Sequence, residues 1–250
     1  MRPCKRGDSP KPQGFTHYRD AFDHLLNAIG KGYSQGKPIA QYCSYCERVI
    51  VTNLAVEHLQ PKDGPDGRPD LKNEWANFLL ACVNCNSSKG NKAVNFNELF
   101  LPDRDNTFLA FDYDTNGVVA PAAGLTDEQK SLAQRTIDLV GLNAGIVNNG
   151  TVVSKDRRNQ RINAYLSAID SLEDFKSDPN NEALKRATVK SMVTSGYFSI
   201  WMKVFNDYPE MKSNFINAHN GTRESGCFDG LADAISPHPN TDNLDCGGKI

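Results

Sequence analysis

The sequence has no long apolar run and no strong excess of either charge. None of its 250 residues falls in an uninterrupted apolar stretch of the roughly 18 residues that a membrane-spanning helix needs. The N-terminal segment is basic but lacks the apolar stretch of a secretory signal peptide. We therefore expect a soluble, intracellular protein with no membrane contact.

Lysine and arginine together number 28, against 30 aspartate and glutamate residues, so the formal net charge is -2. This balance excludes a protein that is positively charged all over, and nucleic-acid binding would need a local basic face or a partner subunit. Three basic clusters could contact phosphates or simply face solvent. They are Arg2, Lys5 and Arg6 near the start, Lys89 and Lys92 mid-chain, and Lys155, Arg157, Arg158 and Arg161 on a predicted helix.

Internal repeats are also absent, and the periodicity predicts an α+β protein that is mainly helical. A helix is predicted over residues 17–32, and short strands over 48–59 and 77–82 flank a loop rich in Pro, Gly and Asp. Asn116 and Gly117 predict the turn of a hairpin, and Thr126 with Gln129 predicts a capping box. Further helical stretches follow at 154–175, 181–207 and 210–219.

Four regions follow from this pattern. Residues 1–40 are predicted to form a basic extended arm and the N-terminal helix, and residues 41–100 a compact core. Residues 101–222 hold the hairpin and a helical region that supplies core or partner contacts. Residues 223–250, rich in Gly, Pro, Asp and Asn, are predicted to be an irregular tail. The apolar segment GYFSIWMKVF is interpreted as core or interface rather than as a base-stacking surface, because only Lys203 adds positive charge to it.

The seven cysteines divide into four with metal-ligand spacing and three without. Two C-x-x-C pairs, 35 residues apart, allow four thiolates to reach one tetrahedral ion at about 2.3 Å. The alternatives are a redox pair or four ordinary buried cysteines, but two pairs that bracket a strand, a loop and a strand favour structural zinc. The pairs are Cys43 with Cys46 and Cys82 with Cys85; the others are Cys4, Cys227 and Cys246.

Between the pairs, Glu57 and His58 are adjacent on a predicted strand. Adjacent strand residues point to opposite faces, so both enter one pocket only if the strand ends or bends there. Pro61 makes such an end plausible. Taken alone the pair is weak support for a site, because a single histidine is more often packed or exposed than catalytic.

Together these residues resemble the zinc-stapled form of the HNH endonuclease motif. The resemblance is carried by Glu57-His58 with Pro61, by Asn77 before LLAC, and by Cys82-x-x-Cys85-Asn86-x-x-Lys89-Gly90. It implies a ββα-metal core, stapled by the four-cysteine zinc site and followed by a C-terminal helical region.

The resemblance also implies a role for each matching residue. His58 is the general base that activates water, and Glu57 is an acidic ligand of the catalytic ion. Asn77 orients the hairpin loop and the base, and Lys89 contacts phosphate. Asn86 is a metal ligand at the start of a helix, which it could alternatively cap.

The third motif position departs from the family name, because Asn86 stands where the name letter denotes histidine. With Glu57 the ligand set is all oxygen, which suits Mg²⁺ or Mn²⁺. A neutral imidazole with a pKa near 6.5 can accept the proton of water, and a cation can neutralise charge on the phosphate.

A wider resemblance extends to about residue 222 and points to the HNH nuclease subunits of Septu and retron-associated antiphage systems. It implies a DNA-degrading effector in the bacterial cytoplasm that acts with an ABC-type ATPase and sometimes a retron. The segments that carry it are MRPCKRG, YCSYCER, NEWANFLLACVNCNSSKG, LPDRDNTFLAFDYD, TIDLVGLN, DRRNQR and GYFSIWMKVF.

Two other functions compete with this interpretation. A zinc-knuckle adaptor would bind nucleic acid or protein without cutting, but it has no reason to keep Glu57, His58, Asn86 and Lys89 at motif spacing. A homing or restriction nuclease acting alone should carry a site-reading module, and the sequence shows none.

Overall fold

The computed structural model describes residues 1–144 and 152–250, with the side chains of the second stretch described from residue 157 onward. In these residues six short strands pair into three antiparallel hairpins. They are β1 (Lys31–Ser34) with β2 (Lys37–Gln41), β3 (Ala55–His58) with β4 (Phe78–Ala81), and β5 (Phe111–Tyr113) with β6 (Val119–Pro121).

Helices make up most of the regular structure, which confirms the predicted α+β, mainly helical class. Short 3-10 helices occur at Tyr18–Ala21, Pro69–Leu71, Trp75–Asn77 and Phe96–Glu98, and a π-helical turn at Leu26–Gly30 extends α1. The α-helices are α1 (Phe22–Leu25), α2 (Val83–Lys89), α3 (Thr107–Ala110), α4 (Asp127–Leu139), α5 (Val152–Ser177), α6 (Glu182–Ser195), α7 (Phe198–Val204) and α8 (Pro209–Asn217).

Two local predictions are confirmed at atomic level. The Thr126 hydroxyl accepts the Gln129 N–H at 3.2 Å, and the Gln129 side chain accepts the Thr126 N–H at 3.2 Å, which completes the capping box of α4. The hairpin β5–β6 turns through Asn116 and Gly117, where φ is +73°. A Cβ on Gly117 would lie 2.6 Å from the Arg158 carbonyl oxygen, so both the conformation and the packing require glycine.

Other elements differ from their predicted bounds for local reasons. The predicted strand over 48–59 forms only at Ala55–His58, because Asn53 adopts a positive φ of 63° and turns the chain before it. The helical stretch 181–207 is broken by Gly196 and by Tyr197, which has a left-handed conformation, and gives α6 and α7. The β1–β2 hairpin was not predicted; it turns at Gln35 and Gly36, both with positive φ.

Helix α2 begins earlier than expected. Its N-cap is Cys82, and the Cys82 carbonyl already accepts the Asn86 N–H at 3.0 Å. Asn86 therefore lies inside the helix, and the alternative that Asn86 caps it is wrong.

The core is built in two clusters. One surrounds β4 and α2 and includes Phe78, Leu80 and Phe100, and the other joins α6, α7 and α8 around Trp201 and Phe215. The interpretation of GYFSIWMKVF as core is confirmed by the burial of its apolar side chains, including Phe198, Ile200, Trp201 and Met202.

The predicted basic arm is wrong for its two arginines, which are buried. Arg2 donates to the Ile29 carbonyl at 2.6 Å and the Asn220 carbonyl at 2.9 Å. Arg6 pairs with Asp103 at 2.8 Å and donates to the Trp75 carbonyl at 3.1 Å. Both guanidinium groups are buried and bonded to internal acceptors, so neither is available to a phosphate.

The C-terminal residues 223–250 contain no helix or extended strand, but they pack against the rest of the fold. Cys227, Phe228 and Ile250 are buried, and the Lys249 ammonium lies 2.9 Å from Asp105. The boundaries at residues 40, 100 and 222 stay predictions. Among the described helices, none combines the length and apolar character that a membrane crossing requires.

Candidate active site and metal centre

One cleft collects four of the predicted site residues. Strand β3 ends at His58, which pairs with Phe78 on β4, so Glu57 and His58 sit at the point where the strand gives way to the loop of residues 59–77. With Asn86 and Lys89 of α2 they line a cleft of about 220 Å³. Because the strand ends here, both side chains can face the same cleft, which two adjacent residues inside a continuous strand cannot do.

Glu57 is the acidic group of this cleft. It is 2% exposed, and its Oε1 lies 2.9 Å from the Lys89 ammonium, which is also buried. Burial raises the pKa of Glu57, and the charge of Lys89 opposes that rise. Lys89 is the charged partner of this Oε1 among the described residues, and the carboxylate keeps further lone pairs that can bind a cation. Carboxylate oxygens suit a divalent cation as ligands.

Asn86 is the candidate for a second oxygen ligand. It is half-buried on α2, lines the same cleft as Glu57, and is followed at the end of the helix by the exposed Gly90 and Asn91. The cleft therefore reaches the surface beside its two oxygen donors. A carboxylate and an amide leave most positions of an octahedral ion to water or substrate, which fits Mg²⁺ or Mn²⁺.

The His58 ring is oriented by one hydrogen bond and two aromatic contacts. Its Nε2 lies 2.9 Å from the Lys72 carbonyl oxygen, which can only accept, so Nε2 carries the proton and Nδ1 of the neutral ring carries the lone pair. Tyr18 and Phe78 meet the ring edge to face at 4.8 and 5.3 Å between centroids. Burial lowers the pKa of His58 from its usual 6.5, which favours the neutral form.

Asn77 lies behind the cleft and closes the loop at both ends. Its Oδ1 accepts the Gln60 N–H at 2.8 Å, and its Nδ2 donates to the carbonyls of Gln60 at 3.0 Å and Leu71 at 3.3 Å. Leu71 precedes Lys72, whose carbonyl accepts the hydrogen bond from His58 Nε2. The side chain of Asn77 therefore fixes the segment that orients the imidazole.

Lys89 lines the cleft, but as the buried partner of Glu57 rather than as an exposed basic residue. Its expected contact with phosphate stays a prediction. Lys92, from the same predicted cluster, is exposed.

The four cysteines of the two C-x-x-C pairs meet at one point. All four are buried and unoxidised, and their sulfurs lie within 4.8 Å of one another. The distance of 3.8 Å between Cys46 and Cys82, which belong to different pairs, matches the separation of about 3.8 Å between sulfurs placed 2.3 Å from a tetrahedral ion. The structure thus brings the four predicted ligands into a zinc-sized group.

The thiols of this group do not ionise alike without a cation. Hydrogen bonding to Cys43 lowers the pKa of both Cys46 and Cys82. Burial raises the pKa of Cys43, and hydrogen bonds from the other thiols raise that of Cys85. Four thiolates in one buried place require positive charge, and a divalent ion supplies it.

Two arginines of the predicted helical cluster are buried beside this group. Neither predicted alternative, contact with phosphate or exposure to solvent, holds for them. Arg157 donates to the Gly141 carbonyl at 2.6 Å, and Arg161 donates to the Gly117 carbonyl at 2.6 Å. Arg158 is half-buried and donates to the Asn116 carbonyl at 2.7 Å. The side chain of Lys155 lies outside the described residues.

The LPDRD segment, residues 101–105, forms buried ion pairs that the sequence pattern did not predict. Asp103 pairs with Arg6 at 2.8 Å and Arg104 at 3.1 Å, and these two arginines hold the pKa of the Asp103 carboxyl low against the effect of its burial. Arg6 also donates to the carbonyls of Trp75 and Phe78, on either side of Asn77. The segment therefore supports the loop of the active site from behind.

Sequence reasoning also missed the residues at the mouth of the cleft. Tyr18 and Lys62 both line it, with the Lys62 ammonium 5.9 Å and the Arg19 guanidinium 5.5 Å from the centre of the Tyr18 ring. The signal was an aromatic residue beside a basic one in the predicted helix, but nothing in the spacing joins residues 18 and 62 to the motif.

The hairpin, the helix and the two groups of ligands define a class of protein. Residues 43–92 match the family model described as HNH endonuclease. That range includes the four cysteines and every residue of the predicted site. The chain therefore contains an HNH endonuclease domain.

Its named relatives belong to two kinds of system. A candidate HNH endonuclease of retron Vc95 from Vibrio cholerae serotype O1 biovar El Tor is 32% identical over 108 residues, which cover 41% of this chain and 52% of that protein. Septu protein PtuA of Bacillus mycoides (strain KBAB4) is 29% identical over 151 residues, covering 49% of this chain and 20% of that protein. This chain spans about half of the first relative and a fifth of the second. The predicted resemblance is confirmed.

Proposed function

We propose that the chain is a metal-dependent endonuclease that hydrolyses DNA phosphodiester bonds. The observation that carries the proposal is the single cleft in which Glu57, His58, Asn86 and Lys89 converge. A non-catalytic adaptor would need no donor set of this kind.

In this mechanism His58 is the general base. A water in the cleft loses its proton to Nδ1 of His58 as its oxygen attacks phosphorus; the P–O bond to the leaving oxygen breaks, and that oxygen takes up a proton from solvent water. The Lys72 carbonyl holds the Nε2 proton and so keeps the ring in the tautomer that can accept. Asn77 maintains that geometry through its bond to Leu71.

Glu57 and Asn86 would hold Mg²⁺ or Mn²⁺, and the bound cation would neutralise charge on the scissile phosphate and the leaving oxygen. Lys89 places a positive charge beside Glu57, where a phosphate oxygen of the substrate would approach. Tyr18 and Lys62 at the mouth of the cleft would contact the neighbouring part of the strand.

Zinc has a different task in this proposal. The four cysteines would hold it away from the reaction, where it ties the segment before β3 to the start of α2. Because Cys85 directly precedes Asn86, a fixed zinc site also fixes a ligand of the catalytic ion.

We further propose that the enzyme works in the bacterial cytoplasm as an effector of antiphage defence, together with an ABC-type ATPase and, in some systems, a retron. The support is the resemblance of the flanking segments and the names of the two relatives, one from a retron and one from Septu.

The proposal is tested by incubating the purified chain with plasmid DNA or RNA, in Mg²⁺, in Mn²⁺ or in a chelator. We expect nicking of DNA in either metal and none in the chelator. The same assay with the co-purified ATPase tests whether the partner stimulates cutting. DNA binding without cutting under every condition would favour the adaptor instead.

A further inference from the structure

The guanidinium of Arg157 on α5 contacts a sulfur of the four-cysteine group. Its Nη1 lies 3.5 Å from Cys85 Sγ and 3.5 Å from the Val140 carbonyl oxygen, and its Nη2 donates to the Gly141 carbonyl at 2.6 Å. The side chain is 1% exposed. An arginine so enclosed has a fixed direction, and one of its donors is directed at a predicted zinc ligand.

The contact matters because of the negative charge of the four-cysteine group. Four thiolates around Zn²⁺ leave two negative charges in a buried place, and hydrogen-bond donors and cations near the sulfurs lower that cost. Arg48, two residues after Cys46, is half-buried and donates to the Asn84 side chain at 3.3 Å. Arg157 is the fully buried cation of the two, and it comes from the helical region rather than from the motif.

The same region packs along α2. The backbone of Gly141, which accepts the Arg157 bond, lies against Ser88: a Cβ on Gly141 would be 2.7 Å from Ser88 Oγ. Contacts from outside the motif therefore reach α2 both at Cys85 and at Ser88. Asn86, a proposed ligand of the catalytic ion, lies between them in sequence.

The first C-x-x-C pair is held from the helical region as well. The Glu47 carbonyl accepts the Tyr197 N–H at 3.0 Å, and the Glu47 carboxylate accepts the N–H of Ser199 at 3.0 Å. The Tyr197 hydroxyl donates to the Arg157 carbonyl at 3.4 Å. Residues of α5 and of the start of α7 therefore contact the chain at or beside both C-x-x-C pairs.

We propose that Arg157 is a positioning residue of the zinc centre: it holds the Cys85 sulfur, stabilises the bound zinc, and fixes α2 from the C-terminal helical region. The inference rests on the proposed zinc site but not on nuclease activity. It assigns the helical region a task in building the active site.

Arg161 provides a matched control. It lies one helical turn further along α5, is 1% exposed, and donates to the carbonyls of Gly117 at 2.6 Å and Leu142 at 3.1 Å. Like Arg157 it is a buried cation close to the four-cysteine group, but none of its hydrogen bonds in the described residues reaches a cysteine, so the comparison separates the bond to sulfur from the nearby charge. Replacing either arginine removes bonds to buried carbonyls, but only one replacement removes a bond to sulfur.

The test compares Arg157→Gln with Arg161→Gln in the zinc-loaded full chain, by following zinc release to a chromogenic chelator and thermal unfolding. We expect Arg157→Gln to release zinc at least ten-fold faster than the parent, since second-layer contacts of this kind are worth about 10–100-fold in metal affinity. We expect Arg161→Gln to release zinc at the parental rate, although it unfolds at a lower temperature.

Equal zinc release from the two variants, or parental release from Arg157→Gln, would overturn the proposal. If the glutamine variants do not fold, Arg157→Lys and Arg161→Lys replace them with the same expected order. A parent chain that holds no zinc would overturn the zinc assignment itself, whereas zinc retention without DNA cutting would count only against the proposed nuclease function.

Discussion

The two sites that share helix α2 differ in enclosure and in ligand chemistry. The four-cysteine group is buried and complete, because four sulfurs fill a tetrahedral ion. The neighbouring cleft has two oxygen donors and a histidine and opens to the surface at Gly90 and Asn91. A closed site contributes stability, and an open one leaves room for water and substrate. One short helix therefore links the candidate zinc centre to the proposed reaction site.

Each of the two sites should be lost without the other, and the largest effect is expected when the four-cysteine group is disrupted. Replacing Cys82 by Ser removes one of four zinc ligands, so we expect the chain to lose zinc and its cooperative unfolding transition. Elemental analysis and thermal denaturation measure both. Cys246→Ser, outside the group and half-buried, should behave as the parent. A stable, zinc-free and active Cys82→Ser protein would refute the structural role of zinc.

Disrupting the open cleft should change the metal dependence of cutting and leave the zinc content as it is. Glu57→Gln keeps the shape but removes the charged ligand, so the Mn²⁺ concentration that gives half-maximal nicking should rise by about ten-fold or more, with zinc content unchanged. Glu74→Gln, on an exposed residue of the same loop, is the control.

Glu57→Gln also leaves the Lys89 ammonium buried without its partner, which costs about 3–5 kcal/mol of stability. The double replacement Glu57→Gln with Lys89→Met should therefore restore the unfolding temperature but not the metal dependence. If restoring stability also restored the response to Mn²⁺, Glu57 would not be a ligand.

A smaller effect is expected behind the cleft. Asn77→Ala removes three hydrogen bonds that close the loop, so we expect a loss of about 1–3 kcal/mol in stability and a fall in kcat of about ten-fold. Metal affinity should not change, because Asn77 holds the loop and not the ion. Asn73→Ala, which removes one long bond on the same loop, should have little effect on kcat.

The smallest effect should occur at the mouth. Lys62→Ala removes one half-exposed positive charge beside Tyr18, so DNA affinity should fall a few-fold and the dependence of binding on salt should weaken by about one ion. Lys130→Ala, on the exposed face of α4, serves as the control in the same titration. An identical salt slope in parent and Lys62→Ala would exclude this contact.

The sequence predicted those parts of the site that depend on short spacing. Each C-x-x-C pair, the Glu57-His58 pair and the segment from Cys82 to Lys89 lies within one short helix, strand or turn, so local geometry suffices for each of them. The capping box of α4 and the turn at Gly117 were predictable for the same reason.

Long-range contacts to backbone carbonyls could not be predicted in this way. Arg6, Arg157 and Arg161 look like exposed basic residues in sequence, yet each one reaches carbonyls or charges far along the chain. Charge patterning does not distinguish a buried arginine with internal acceptors from one that faces phosphate. The basic arm failed as a prediction for this physical reason.

The most direct test of the two-site account is a single measurement on His58→Ala, with zinc content and plasmid nicking in Mg²⁺ determined on the same preparation. His24→Ala, which changes an exposed histidine, is the matched control. We predict that His58→Ala keeps one zinc per chain and unfolds at a somewhat lower temperature, because the buried ring loses its hydrogen bond and two aromatic contacts, while nicking falls by at least about 100-fold. Nicking at the parental rate by this variant would contradict the assignment of His58 as the general base.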